Sequence, residues 1–275
     1  MEQYSVLMTV YHKANPADFT VAVESILNQT VKTDDFVIVC DGPLNEALDG
    51  LLAKFEAENP GVFHIVRLKE NVGIGRAANE GLQHCRHDLV ARMDADDIAV
   101  PDRCEKQLRR FEENPKLQVL GGQIAEFDTD PEQPFSFRTV PEDNESIRRY
   151  ARRRQPFNNM TVMYRRSTVL EVGGYRDFRR SEDYDLFLRL LHAGHEAANL
   201  PDVLVNARVD RSAYSRRASW GTLQGCARSR WYAMKIGYSS LLDVAVCVGG
   251  EFVILVSPPK MQEFIYCKFL RKKGS

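Results

Sequence analysis

An α/β fold, built on a mostly parallel sheet wound by right-handed crossovers and flanked by helices, follows from two features of the sequence. Through the first half of the chain, short apolar runs rich in β-forming residues alternate with segments of helical periodicity. One of those runs, "DFVIVC" (35–40), reads as a continuous apolar strand, the kind buried on both faces of a parallel sheet. A third feature says where a ligand would sit. Polar residues fall where strands end, at Thr9–Tyr11, Asp41 and Asp94–Asp97, and wound sheets bind ligands beyond the carboxyl ends of their strands.

The elements follow in order. "SVLMTVY" (5–11) is a short β-rich run. "DFTVAVESILNQT" (18–30) carries Phe19, Val23, Ile26 and Leu27 at helical spacing, with Asp18 as its N-cap. The strand at 35–40 stops at Asp41-Gly42-Pro43, a turn signal. Residues 46–58 read as a helix, 63–68 as a strand, 75–85 as a helix and 88–93 as a strand. A helix from Pro101 to about Glu113 has proline in its first turn, where the missing N–H costs nothing. Residues 117–127 give another strand. From 128 to 160 the chain is polar, rich in Pro and Arg, and irregular. "MTVMY" (160–164) is strand-like, a short helix lies near 166–172, and "SEDYDLFLRLLHAG" (181–194) is an amphipathic helix. Leu186, Phe187, Leu190 and Leu191 form its apolar face, and Glu182 and Asp183 lie in its first turn, where negative charge suits the helix dipole.

Composition narrows the function. The 275 residues suffice for one large domain or for a domain with an appendage, and a formal net charge of -1 gives no electrostatic basis for a nucleic-acid partner. The six cysteines form no CxxC pair, which favours free thiols in a reducing cytosol. "MEQYSVLMTVYHK" carries no signal-peptide pattern. The apolar segment at 241–259 is interrupted by Asp243, Glu251 and a glycine pair, so it is a poor spanning helix.

The acidic cluster in "LVARMDADDIAVPDR" (89–103) needs an explanation. Like charges at such spacing raise one another's pKa and oppose folding, and a bound cation removes the conflict. Asp94 and Asp96 flank the small Ala95, so strand alternation aims both the same way. Hard carboxylates with few competing ligands suit Mg²⁺ or Mn²⁺; the alternative is a solvated acidic turn. Asp41 is either a turn residue or a carboxylate that accepts from a base or sugar. "NVGIGRAANEG" (71–81) departs from a full dinucleotide fingerprint, since Ala78 stands where the third glycine belongs. Gly73 and Gly75 then suit a close approach of backbone to ligand, and Arg76 either pairs with a phosphate or is a solvated helix residue.

Taken in order, "SVLMTVYHKA…ESILNQT", "VIVCDGP", "NVGIGRAANEGL", "ARMDADDIAVPDR" and "SEDYDLFLRL" resemble an inverting family 2 glycosyltransferase with the GT-A fold, of the bacterial polysaccharide-biosynthesis type. The resemblance covers roughly residues 4–210. It implies a nucleotide-sugar donor, a divalent cation and an inverting displacement. By position it implies Thr9 and Tyr11 in the first nucleotide-contacting loop, Asp41 on the nucleobase, Asp94 near the ribose and sugar, Asp96 on the metal and Asp183 as catalytic base. Many relatives read Asp-Asp-Gly-Ser where this chain has Cys40-Asp41-Gly42-Pro43, which keeps the acid and loses the serine's turn contacts.

The expected organisation is a GT-A domain at 1–210, with a nucleotide-sugar-binding half (1–127) and an acceptor-side half (128–210), then a helical C-terminal extension at 211–275. The expected activity is transfer of a hexose or N-acetylhexosamine from a UDP-sugar to a saccharide acceptor on polyprenyl diphosphate, on the cytoplasmic face of the membrane. The basic run "RRYARRR" (148–154) either binds acceptor phosphates or is a solvated loop. The aromatic and cationic stretch from Trp220 to Lys273 suits either a helix lying on an anionic membrane surface or an appendage packed on the domain. A nucleotidyltransferase would carry a glycine-rich basic loop after the first strand, where this chain has "TVYHKANP"; a non-catalytic nucleotide-sugar-binding protein is the third class.

Overall fold

The computed structural model describes residues 2–178, 180–209, 219–258, 261–262 and 272–273. Four parallel strands form the N-terminal part of the sheet in the order β3–β2–β1–β4: β1 (Tyr4–Val10), β2 (Asp35–Cys40), β3 (Phe63–Arg67) and β4 (Leu89–Asp94). Helices α1 (Pro16–Leu27), α2 (Glu46–Glu58) and α3 (Ile74–His84) make the crossovers. Every residue of β2 is buried, as its unbroken apolar run requires. Gly81 lets α3 lie close on the sheet: a Cβ there would meet Leu7 and come within 2.7 Å of Val39.

Two boundaries differ from expectation. Helix α1 begins at Pro16, capped by Asn15, whose Oδ1 accepts from the N–H of Ala17 at 2.8 Å; Asp18 is a first-turn acid and not the cap. Helix α4 (Arg103–Glu113) starts two residues after Pro101.

The second half is more ordered than its composition suggests. β4 continues antiparallel into β8 (Met163–Arg165), then β6 (Leu117–Phe127), β7 (Ser136–Arg138) and β10 (Lys272–Lys273). The stretch expected to be irregular holds β7 and helix α5 (Asn144–Ala151), capped by Asp143. The largest omission is β9 (Glu196–Arg208), a 13-residue strand parallel to β6. Pro201 and several polar residues hide its alternation, and three register shifts let it bend along β6. β9 also pairs antiparallel with β5 (Ile98–Ala99), directly after the acidic cluster.

Helix α6 (Arg166–Glu171) and helix α7 (Glu182–His192) cover the far face. Helices α8 (Trp220–Lys235) and α9 (Leu241–Val256) pack on one another beyond α7, where Tyr184, Leu188 and Ala233 form a small separate core. Residues 210–218 and, from the late aromatic and cationic stretch, Phe264, Tyr266, Phe269, Leu270 and Arg271 lie outside the described residues.

Candidate active site

The parallel register brings the sequence-distant acids together. Thr9 pairs with Val39 on one side and with Asp94 on the other, so the ends of β1, β2 and β4 align. Beyond them opens a cleft of about 550 Å³ lined by Thr9, Tyr11, Asp41, Gly73, Asp94 and Asp96. Lys13, Asn15, Asp18 and Asn71 line it too and escaped the reading of the sequence as cleft residues; for Lys13, the signal was there unread, a cation in the loop after the first strand.

Asp41 is buried, and each of its carboxylate oxygens holds one backbone N–H. Its Oδ1 accepts from the N–H of Val72 at 2.7 Å and its Oδ2 from the N–H of Gly73 at 3.1 Å. Asn71 closes the unit by donating to the Asp41 carbonyl at 3.1 Å. Gly42 (φ 88°) is obligatory at this turn, because a Cβ would lie 2.8 Å from the Asn71 nitrogen. The two glycines expected at the ligand divide. Gly73 (φ 90°) lines the cleft, whereas Gly75 packs on protein, its missing Cβ 3.4 Å from Glu182 and Tyr175. Arg76 does not line the cleft; it is exposed and pairs with Asp177 at 2.9 Å.

The acidic cluster is divided by side-chain direction. Asp94 and Asp96 face the cleft, while Asp97 is buried and accepts from the Arg208 N–H at 2.8 Å. Arg208, at the end of β9, also pairs with Asp18 at 3.1 Å and stacks on Phe127 at 4.7 Å. The strand hidden in the sequence therefore clamps the acidic loop. Beneath it lie two buried arginines: Arg92 donates to the Leu7 carbonyl at 3.1 Å, and Arg103 to the Arg92 carbonyl at 2.7 Å. They are the counter-charges of the cluster. Burial still raises Asp94, and burial with the Asp94 charge raises Asp96 to about 6.

This donor set fits a hard divalent cation. The buried Asp94 Oδ1 has no hydrogen-bond partner, and Asp96 stands beside it in the cleft lining. Among the described residues no three His, Cys, Asp or Glu side chains form a cage; Mg²⁺ or Mn²⁺ takes one or two carboxylates and fills its remaining positions from water and phosphate.

Asp183 is not among the cleft-lining residues but lies close enough to Asp94 to feel its charge. Burial, the neighbouring Glu182 and Asp94 push its carboxyl up to about 7, against the pull of Arg92 and Arg138. The helix carrying it is pinned by Asp185, fully buried, which accepts from Arg176 Nε at 2.9 Å and from Arg189 Nε at 2.9 Å. The basic run at 148–154 is neither a free phosphate loop nor simply solvated. Arg148 donates to the carbonyls of Leu191 and His195, and Arg152 and Arg153 pair with buried Asp243 at 3.0 and 2.6 Å.

A sequence model described as "Glycosyl transferase family 2" matches residues 5–179, more than half of the chain. The chain belongs to glycosyl transferase family 2. An uncharacterized glycosyltransferase of Haemophilus influenzae is 40% identical over 98% of this chain and 100% of its own length. The amylovoran biosynthesis glycosyltransferase AmsE of Erwinia amylovora is 34% identical over 96% and 98% of the two chains. The Escherichia coli UDP-Gal:alpha-D-GlcNAc-diphosphoundecaprenol beta-1,3-galactosyltransferase is 30% identical over 98% and 97%. These relatives place the family 2 chain among the bacterial polysaccharide-biosynthesis type.

Solved structures agree on the fold. The mannosyltransferase PcManGT of Pyrobaculum calidifontis, in complex with GDP-Man and Mn²⁺, superposes with a TM-score of 0.65 at 15% identity, covering 96% of this chain and 84% of that one. TarS 1–349 of S. aureus in complex with UDP gives 0.61 at 15% identity, over 98% and 70%. The family 2 chain has the GT-A fold.

Proposed function

We propose that this family 2 enzyme moves a hexose or N-acetylhexosamine from a UDP-sugar to a saccharide carried on polyprenyl diphosphate, with inversion, at the cytoplasmic face of the membrane. One observation carries the reading: a single cleft at the ends of β1, β2 and β4 gathers Thr9, Tyr11, Asp41, Asp94 and Asp96, and Asp183 is charge-coupled to its floor. A relative named for a UDP-galactose donor and a diphosphoundecaprenol acceptor supports the substrate class, as does a fold neighbour solved with UDP.

In this reading the nucleoside lies between the β1 loop and the Asp41–Gly73 unit. Thr9 and Tyr11 contact it, and the second lone pairs of the Asp41 carboxylate accept from the base. Asp94 sits near the ribose and sugar. Asp96 holds Mg²⁺ or Mn²⁺ with Asp94 beside it, and the cation supplies Lewis-acid neutralisation of the diphosphate leaving group. Lys13 adds positive charge to the same cleft. Arg76, paired with Asp177 outside the cleft, is left out of donor binding. Asp183 takes the proton of the acceptor hydroxyl as that oxygen attacks the anomeric carbon. A carboxyl held near 7 suits a general base working at neutral pH.

The test is a screen of UDP-sugars against a short polyprenyl-diphosphate saccharide, reading released UDP and the glycosylated product, with and without EDTA. Transfer from one donor that stops on chelation is the expected result. Binding of UDP-sugars with no product from any donor and acceptor would leave a binding protein in place of an enzyme.

A further inference from the structure

Helix α9 is apolar on its solvent side as well as on its packed side, where Val244 and Ile254 are buried. In a packed surface helix the apolar stripe faces the core and polar residues face water. Here Leu242, Ala245, Val246, Gly249, Val253 and Val256 are exposed at helical spacing and make one outward face without a polar side chain. Leu242 is 65% exposed and Val256 62%. The two acids of the 219–258 hairpin turn inward: Asp243 is buried against Arg152 and Arg153, and Glu251 is half-buried near Arg230. The outward stripe of α8 reads Trp220, Gln224, Arg228, Trp231 and Lys235, tryptophans alternating with cations.

We propose that the α8–α9 hairpin is a docking surface for an anionic lipid bilayer. The proposal rests on the lipid-linked-acceptor reading for its choice of bilayer. Charge and length on the page support the same choice. A 16-residue helix rises ~24 Å, short of the roughly 20 residues a span needs, and no described helix is long and apolar enough to cross a membrane. It therefore lies in the interface with its apolar face among the acyl chains. Arg228 and Lys235 then meet anionic headgroups, and the two tryptophans sit at the level such rings prefer. A second copy of this chain is the poorer occupant, because a twofold pairing sets identical stripes together and nothing acidic on the outward stripes answers the cations.

The hairpin is fastened to the catalytic side. Arg230 stacks on Tyr184, beside Asp183, at 3.6 Å, and Arg176 stacks on Tyr232 at 4.1 Å while holding Asp185. Arg180 donates to Ser219 and Thr222 at 2.7 and 3.0 Å. A bilayer that holds α8 and α9 thereby fixes the height and tilt of the helix bearing Asp183 relative to the headgroups.

The chain's own fluorescence reports the contact, because its two tryptophans, Trp220 and Trp231, both lie on the α8 stripe. Full-length protein is mixed with vesicles of phosphatidylcholine alone or with phosphatidylglycerol, without nucleotide or acceptor. A blue shift, quenching by brominated acyl chains and co-sedimentation with the phosphatidylglycerol vesicles only are expected. The double substitution Val246→Asp/Val253→Asp, on exposed positions, should lower partitioning at least tenfold and leave the thermal midpoint and UDP release with a water-soluble acceptor analogue unchanged. Unshifted emission in the wild type, equal binding by the double variant, or a wild-type dimer that the variant dissolves without any vesicle binding would each overturn the docking surface. Because vesicle binding is read without substrates, its failure leaves the transferase reading standing, and failed transfer leaves the docking surface standing.

Discussion

Asp94 and Asp183 repel one another across the cleft floor, although they lie on β4 and at the start of α7. The Asp94 charge is one of the causes that lift the Asp183 carboxyl to about 7, after burial and Glu182. Buried Arg92 is attracted to both. Acids from the two halves of the chain thus share one electrostatic unit, which ties the protonation of Asp183 to whatever charge occupies the cleft beside Asp94.

That coupling sets the pH dependence. With its carboxyl raised to about 7 in the free protein, Asp183 in the proposed base role is protonated and idle below that value, so kcat/KM should climb through pH 7 with one ascending limb. Asp183→Asn should lower kcat by ~10²–10⁴-fold while UDP affinity, read by calorimetry, holds. The stability sign is the reverse of the usual carboxylate. A folded-state value above the ordinary 3.8 means the native state binds the proton more tightly, so Asp183 weakens folding progressively as pH rises from about 4 through about 7. Asp183→Asn should therefore be more stable than the parent at pH 8, by up to about 4 kcal/mol, and no more stable at pH 4.

Asp96 predicts a different profile. Its carboxyl sits at about 6 in the cation-free protein, and a cation must compete with that proton. UDP affinity in Mn²⁺ should fall as pH drops below 6, with protons taken up as the cation leaves. Asp96→Ala should abolish this dependence. It should weaken Mn²⁺-supported UDP binding by at least the roughly 10–100-fold that losing an outer-shell partner costs. Titrations at two pH values, with and without EDTA, measure both effects.

The first half of the chain was legible because parallel strands buried on both faces announce themselves as apolar runs, and their polar ends mark the cleft. Asp41, Asp94 and Asp96 were readable on that basis. What stayed hidden depends on partners distant in sequence. β9 contains a proline and alternates imperfectly, because its register on β6 shifts three times, so no single period describes it. Arg208 reads as a solvated cation until β9 brings it against Asp97 and Asp18. The run at 148–154 reads as a free basic loop until α9 supplies Asp243. Arg76 looked like a phosphate ligand by its place after Gly75, but its nearest acid, Asp177, comes from the loop before α7.

The Asp41 turn gives a test of local geometry. Gly42→Ala puts a Cβ against the Asn71 backbone at a left-handed φ of 88°, and should cost ~1–3 kcal/mol in denaturant melts. Asp41→Asn turns an amide NH₂ toward one of two backbone donors and should cost a similar ~1–3 kcal/mol. Both should weaken UDP binding, since both loosen the loop carrying Gly73, which lines the cleft.

The Asp185 clasp separates folding from chemistry. Asp185 is fully buried, and its two oxygens hold Arg176 and Arg189, the second of which also donates to the Gly174 carbonyl at 2.6 Å. Asp185→Ala leaves Arg189, itself buried, without its counter-charge, and should destabilise by ~3–5 kcal/mol. Arg176→Met leaves the Asp185–Arg189 pair intact and removes a side chain that is one-third exposed, so its cost should stay near ~1 kcal/mol. Its kinetic effect should be larger than its effect on stability, because Arg176 joins Asp185 to Tyr232 and so holds the first turn of α7 against α8. A fall in kcat with UDP affinity kept, in a variant whose melting curve barely moves, is the expected signature. A variant with parental kcat would show that Asp183 keeps its place without that link.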